Sequence, residues 1–88
     1  MTDENIIGQS GIRRITEEGL CREIERQIKR HELYEDIQVN NFLGLTVYAL
    51  KAGGKVVFDN KGEYVIFDKS VDRQVVQDIL YKSTERQA

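Results

Sequence analysis

Apolar residues recur along this chain with two different periods, and the places where the period changes divide it into elements. Leu20, Ile24 and Ile28 step by four, with Cys21 beside them. At about 100° per residue they fall in one sector, the buried stripe of an amphipathic helix. Thr16 stands where it would cap that helix, and Glu17 and Glu18 follow where the helix dipole favours negative charge. The helix is expected to end near Glu32. Its other side carries Glu18, Arg22, Glu25, Lys29 and Glu32, a ladder of alternating charge. Each neighbouring pair of such a ladder stabilises a helix by ~0.2–0.5 kcal/mol, so a solvated face is the plain reading. Arg26 and Arg30 lie beside the ladder and give it a mildly basic flank.

Beyond this helix the period drops to two. From Ile37 to Ala49 the odd positions read Ile37, Val39, Asn41, Leu43, Leu45, Val47 and Ala49, which suits a strand, and Thr46, Val47 and Tyr48 add β-propensity. A competing reading makes Asn41 the cap of a short helix from Phe42 to Ala52, closed by Gly53 or Gly54. The strand reading is preferred. Next come Lys55–Phe58 and Glu63–Phe67, two strands around Asp59-Asn60-Lys61-Gly62, with Gly62 suited to a left-handed position in a three-residue loop. That loop length would set Phe58 against Tyr64 and Val57 against Val65. Val57, Val65 and Phe67 would then share one side of the hairpin, leaving neither side made for water. Ser70 is expected to cap a second helix whose stripe is Val71, Val75, Val76, Ile79 and Leu80, fraying after Ser83. Residues 1 to 14, with Gly8, Gly11 and unperiodic isoleucines, are expected to form a flexible arm, and 15–88 a single domain. The fold class expected is α+β: a helix, a three-stranded antiparallel meander and a helix. The alternative is a helical domain with a β-hairpin wing.

Composition narrows the picture. Apolar residues make up 40% and charged residues 32% of the 88 positions, too apolar a mix for disorder and enough for one modest core. No stretch approaches the roughly 20 apolar residues of a membrane span. The acidic opening lacks the basic-then-apolar order of a signal peptide. With Cys21 as the single cysteine, no internal disulfide can form, and a cytoplasmic, reducing setting is expected. Net charge is −2, so nucleic-acid binding would have to come from local arrangement rather than a global basic surplus.

Catalytic constellations are not found. Cys21 and His31 are the only residues of their kinds, and on one helix they stand about 15 Å apart, too far for a nucleophile and its base. One Cys and one His cannot build a structural zinc site. Asp59, Lys61 and Glu63 lack the glycine and distal glutamate of a calcium loop and suit a turn. Gly53-Gly54-Lys55 lacks the earlier glycine and the following hydroxyl of a phosphate loop, and leads into a strand rather than a helix. The expectation is therefore a protein without enzymatic activity, cofactor or metal.

Three functions fit these residues. The first is a small non-catalytic regulatory or adaptor protein working through protein contacts, as a homodimer or with another protein, with Val57, Val65 and Phe67 as the apolar contact. The second is nucleic-acid binding, with Arg22, Arg26, Lys29 and Arg30 on phosphates. A helix, three strands and a helix is similar in order alone to double-stranded RNA-binding domains. With a helix at 42–52 the order is similar to a winged helix. The third is a small inhibitor protein of a mobile element, which would also act by protein contact. No membrane partner is expected.

Overall fold

The computed structural model describes residues 13–17 and 19–87. Along the chain they form β1 (Arg13–Ile15), α1 (Leu20–Arg30), β2 (Tyr34–Asn40), β3 (Leu45–Leu50), β4 (Lys55–Asp59), β5 (Val65–Phe67) and α2 (Arg73–Gln87). The strands make one antiparallel sheet in the order β1-β5-β4-β3-β2. The class is α+β, and the expected meander survives as β3, β4 and β5. It is widened by a strand on each edge. Arg13 and Arg14 of the expected arm belong to β1, paired to Phe67 and Ile66. The remainder of that arm, residues 1–12, lies outside the described residues. No described helix is long and apolar enough to cross a membrane.

Period two persists through residues 37–49 because the segment is a hairpin, not one strand. A turn from Asn41 to Gly44 separates β2 from β3, which rules out the alternative helix over 42–52. Asn40 pairs with Leu45, so paired residues have opposite parity. Odd positions consequently face one side of the sheet in β2 and the other side in β3. An alternation that looks continuous in sequence serves two faces.

Both described helices cover one side of the sheet. Tyr48, Leu50, Val56, Phe58, Val65 and Phe67 point into this layer and meet Leu20, Cys21, Ile24 and Ile28 of α1 and Val76 and Ile79 of α2. Fully burying an Ile side chain is worth roughly 1.5–3 kcal/mol, and Ile24, Ile28 and Ile79 are all at most 1% exposed. Tyr48 sits at the centre, edge-on to Tyr34 (5.4 Å between ring centroids) and to Phe58 (5.2 Å). Its hydroxyl donates to Glu25 Oε2 of α1 at 2.5 Å. Burial first, and then this carboxylate, push the Tyr48 hydroxyl well above its ordinary pKa of 10.0.

The β4–β5 loop is one residue longer than its sequence suggests. Gly62 does take the left-handed conformation (φ 78°), but Glu63 stays in the loop and the register moves by one. Phe58 faces Val65, Val57 faces Ile66 and Val56 faces Phe67. A one-residue slip exchanges the faces of a strand. Val65 and Phe67 are therefore core residues, 0% and 1% exposed, and offer nothing to a partner. Val57 alone of the three keeps its expected place away from the helices.

Three helix ends also differ from expectation. Thr16 does not cap α1: the helix starts after Gly19 (φ 86°), without a side-chain cap. Its C-terminus closes in a Schellman motif, with Leu33 N–H on the Ile28 carbonyl (3.0 Å) and Glu32 N–H on that of Lys29 (3.1 Å). Glu32 holds the left-handed position (φ 51°) that glycine normally takes. At α2 the cap is Asp72, whose carboxylate accepts Gln74 N–H at 2.7 Å and whose carbonyl accepts Val76 N–H. Ser70 instead bonds Asp68, and this contact holds the Asp68 carboxyl below its ordinary pKa. The helix runs on to Gln87 because Ser83, fully buried, satisfies its hydroxyl on the Ile79 carbonyl and continues the stripe.

Candidate functional site

Among the described residues β2 is a sheet edge, and main-chain directions show which of its groups meet no other described strand. Leu50 N–H donates across to the Gly54 carbonyl, so Leu50, Tyr48 and Thr46 turn their main-chain groups toward β4. Leu45, Val47 and Ala49 turn theirs the other way, toward Asn40, Gln38 and Asp36. The Lys51 N–H bond to the Leu33 carbonyl (2.8 Å) follows the same alternation. Ile37 and Val39 consequently present N–H and C=O to the open side.

The same two residues carry exposed apolar side chains. They lie opposite Tyr48 and Thr46 on the helix side of the sheet, yet Val39 is 60% exposed. The β2–β3 turn adds Phe42, at 94%, and Leu43. That turn is anchored at several points. Asn40 Oδ1 accepts Leu43 N–H (3.0 Å), and the Gly44 carbonyl accepts Asn60 N–H (2.9 Å) from the neighbouring loop. Thr46 Oγ1 adds a bond to Asn60 Oδ1 at 2.6 Å. Phe42 and Leu43 are thus displayed from a turn that three bonds hold in place. Edge strands of this length are commonly blunted by lysine, proline or a bulge. β2 has neither lysine nor proline, and its one irregularity, between Tyr34 and Asp36, leaves Asp36–Asn40 regular. The period-two pattern does not mark Ile37, Val39, Phe42 and Leu43 as a contact surface; Asn40-Asn41 followed by Gly44 is the turn signal that separates them from β3.

The basic residues of α1 are placed differently from a phosphate-binding row. Arg22 crosses to the β4–β5 loop, where its Nη2 donates to the Lys61 carbonyl at 3.0 Å. Arg26 pairs with Glu23 at 2.6 Å, and the same buried carboxylate accepts Gln27 Nε2. Lys29 and Arg30 are exposed in the last turn of the helix, where they complement its dipole. Glu25, from the middle of the charge ladder, is the acceptor for Tyr48. The ladder therefore ties α1 to the sheet rather than facing only solvent.

Cys21 is buried, with its Sγ donating to the Ile15 carbonyl (3.4 Å); burial, then Glu17 and Asp59, raise the thiol pKa. His31 caps the same helix from an exposed position, bonded to Gln27 at 3.1 Å. Asp59 accepts the Glu63 N–H within its loop, and Gly53 and Gly54 form the β3–β4 turn. A cavity of about 240 Å³ lies between this turn and α2, floored by Leu33, Leu50, Val75 and Ile79. Small-molecule sites usually measure ~300–1,000 Å³. Val57 lies half-buried on the side of the sheet away from the two described helices, between Val47 and Ile66 in register. No protein-family model matches the chain, and neither a curated protein nor a solved structure shows significant similarity to it.

Proposed function

We propose that the chain is a small non-catalytic regulatory or adaptor protein that acts through protein–protein contacts at the β2 edge and the β2–β3 turn. One observation carries this reading: the free main-chain groups of Ile37 and Val39 adjoin the exposed side chains of Ile37, Val39, Phe42 and Leu43. An extended partner or a second sheet adding to such an edge gains main-chain hydrogen bonds and apolar burial together. Placing Phe42 in water has no use for folding, since its side chain touches little of its own chain.

The test is an affinity purification from source lysate with the wild-type chain and a Phe42→Ser/Leu43→Ser double variant, each with and without nuclease. The expected result is one stoichiometric protein that survives nuclease on the wild type and is absent from the variant. Retention by both chains alike would overturn the assignment of the surface. Retention lost to nuclease would turn attention to nucleic acid and to Lys29 and Arg30.

A further inference from the structure

Resting on that reading of the β2 edge, we infer that its occupant is a second copy of this chain, paired β2 to β2 antiparallel about a two-fold axis at Gln38. Symmetric pairing requires outward-facing residues to meet outward-facing residues. Only Ile37 and Val39 face outward in the regular stretch, so the axis must pass through a residue rather than between two. The regular stretch Asp36–Asn40 is itself centred on Gln38. An axis there matches it over its whole length and stops at the irregularity before Asp36. An axis at Ile37 would run into that irregularity and set Glu35 against Val39. An axis at Val39 would set Asp36 against Phe42.

With the axis at Gln38, Ile37 meets Val39 of the second copy and Val39 meets its Ile37. Each pair exchanges both N–H···O bonds. All four side chains lie on the helix side of the joined sheet and cover one another. Asp36 meets Asn40, so no like charges are opposed. The two Asp36 carboxylates stand four residues apart along the ladder, roughly 14 Å at about 3.4 Å per residue. That exceeds the Debye length of about 8 Å at physiological salt, so their repulsion is screened. Phe42 comes to the Tyr34 end of the second copy's strand, where the aromatic row of Tyr34, Tyr48 and Phe58 ends. The acidic, apolar and amide positions of β2 are thus self-complementary in one register.

Cysteine cross-linking of the purified full chain reads that register. In a non-hydrogen-bonded pair the two residues 38 have Cα atoms about 4.5 Å apart, within disulfide range, whereas residues 40 do not meet. Gln38→Cys is expected to give a covalent dimer under mild oxidation roughly tenfold faster than Asn40→Cys or Ile37→Cys. Light scattering is expected to show a wild-type dimer and a folded monomer for Val39→Pro, which deletes an outward N–H that the monomer does not use. A wild-type monomer at all concentrations, with Gln38→Cys no faster than Asn40→Cys, would refute the second copy. Preferential cross-linking through Ile37→Cys would refute the axis. Either result leaves the Phe42 and Leu43 purification to judge separately whether the edge binds another protein.

Discussion

Glu32→Gly should stabilise this protein, although it removes a side chain from a helix end and puts in the residue least favourable to order. Glu32 sits at φ 51° in the Schellman turn that closes α1, with its N–H on the Lys29 carbonyl. An L-residue in the left-handed region costs roughly 1–2 kcal/mol, which glycine does not incur. Glycine's greater freedom in the unfolded chain takes back about 0.4–1 kcal/mol. Removing a carboxylate from the negative end of the helix dipole adds ~0.3–1 kcal/mol. The net expectation is a gain of about 1 kcal/mol, or ~4–8 °C in Tm for a domain of this size. Urea unfolding followed by circular dichroism should show a raised midpoint with an unchanged m-value. Glu32→Gln is the control, since it removes the charge and keeps the strain; it should recover only the electrostatic part. If the glutamine variant matched the glycine variant, backbone strain would have no share in the effect. If the glycine variant were destabilised, the left-handed backbone at Glu32 would carry no net strain for glycine to relieve.

Other substitutions probe the opposite end of the core and its buried polar groups. Gly54→Ala should cost about 3 kcal/mol or more, because at φ 86° a Cβ would lie 2.6 Å from Val71 Cγ2 and 2.7 Å from its backbone nitrogen; a loss under 1 kcal/mol by urea titration would mean that the turn can move away from Val71. Tyr48→Phe should cost about 1 kcal/mol at neutral pH by removing the bond to Glu25. Because folding raises the Tyr48 pKa, the folded chain holds that proton more tightly, and its contribution is fully present below about pH 10 and lost as pH rises further. The alkaline fall in stability should therefore be steeper in the wild type than in Tyr48→Phe, and parallel curves would contradict it. Cys21, 1% exposed and with its thiol pKa raised by burial, should react with a thiol reagent only through opening of the fold; labelling that does not slow below the unfolding midpoint would place the thiol at the surface.

Where local pattern and tertiary packing agree, the sequence was sufficient. Leu20, Cys21, Ile24 and Ile28 do form the buried stripe of a helix, and Gly62 and Gly53-Gly54 do mark turns. The β4–β5 register was not legible, since the loops of three and four residues around Gly62 differ only in whether Glu63 pairs, a matter decided by which faces of Val65 and Ile66 meet the helices. The β2–β3 hairpin hid behind an alternation that runs unbroken through an even-length turn. β1 carries only Arg13, Arg14 and Ile15, too short a run to show any period, and exists because the β5 edge is there to receive it. The proposed contact surface is hidden for the same reason as the hairpin. Of the three hairpin residues, Val65 and Phe67 lie in the core and Val57 is half-buried on the other side. The exposed Ile37, Val39, Phe42 and Leu43 belong instead to β2 and its turn, which the alternation does not separate from β3.

The antiparallel order of the sheet also bears on how quickly its parts can come together. β2, β3, β4 and β5 are each joined to the next by a tight turn, so their pairing closes loops of a few residues. Ile15, by contrast, reaches Val65 across fifty residues of chain. On a (3/2)RT ln n scale, closing that span directly costs about 2 kcal/mol more entropy than closing a four-residue turn. Once the hairpins exist, however, the span is already folded and the cost has largely been met. The barrier to folding should therefore be crossed by the four hairpin-linked strands, with β1 docking on the downhill side. Ile15→Ala should accordingly quicken unfolding while leaving the refolding arm of the chevron almost where it was.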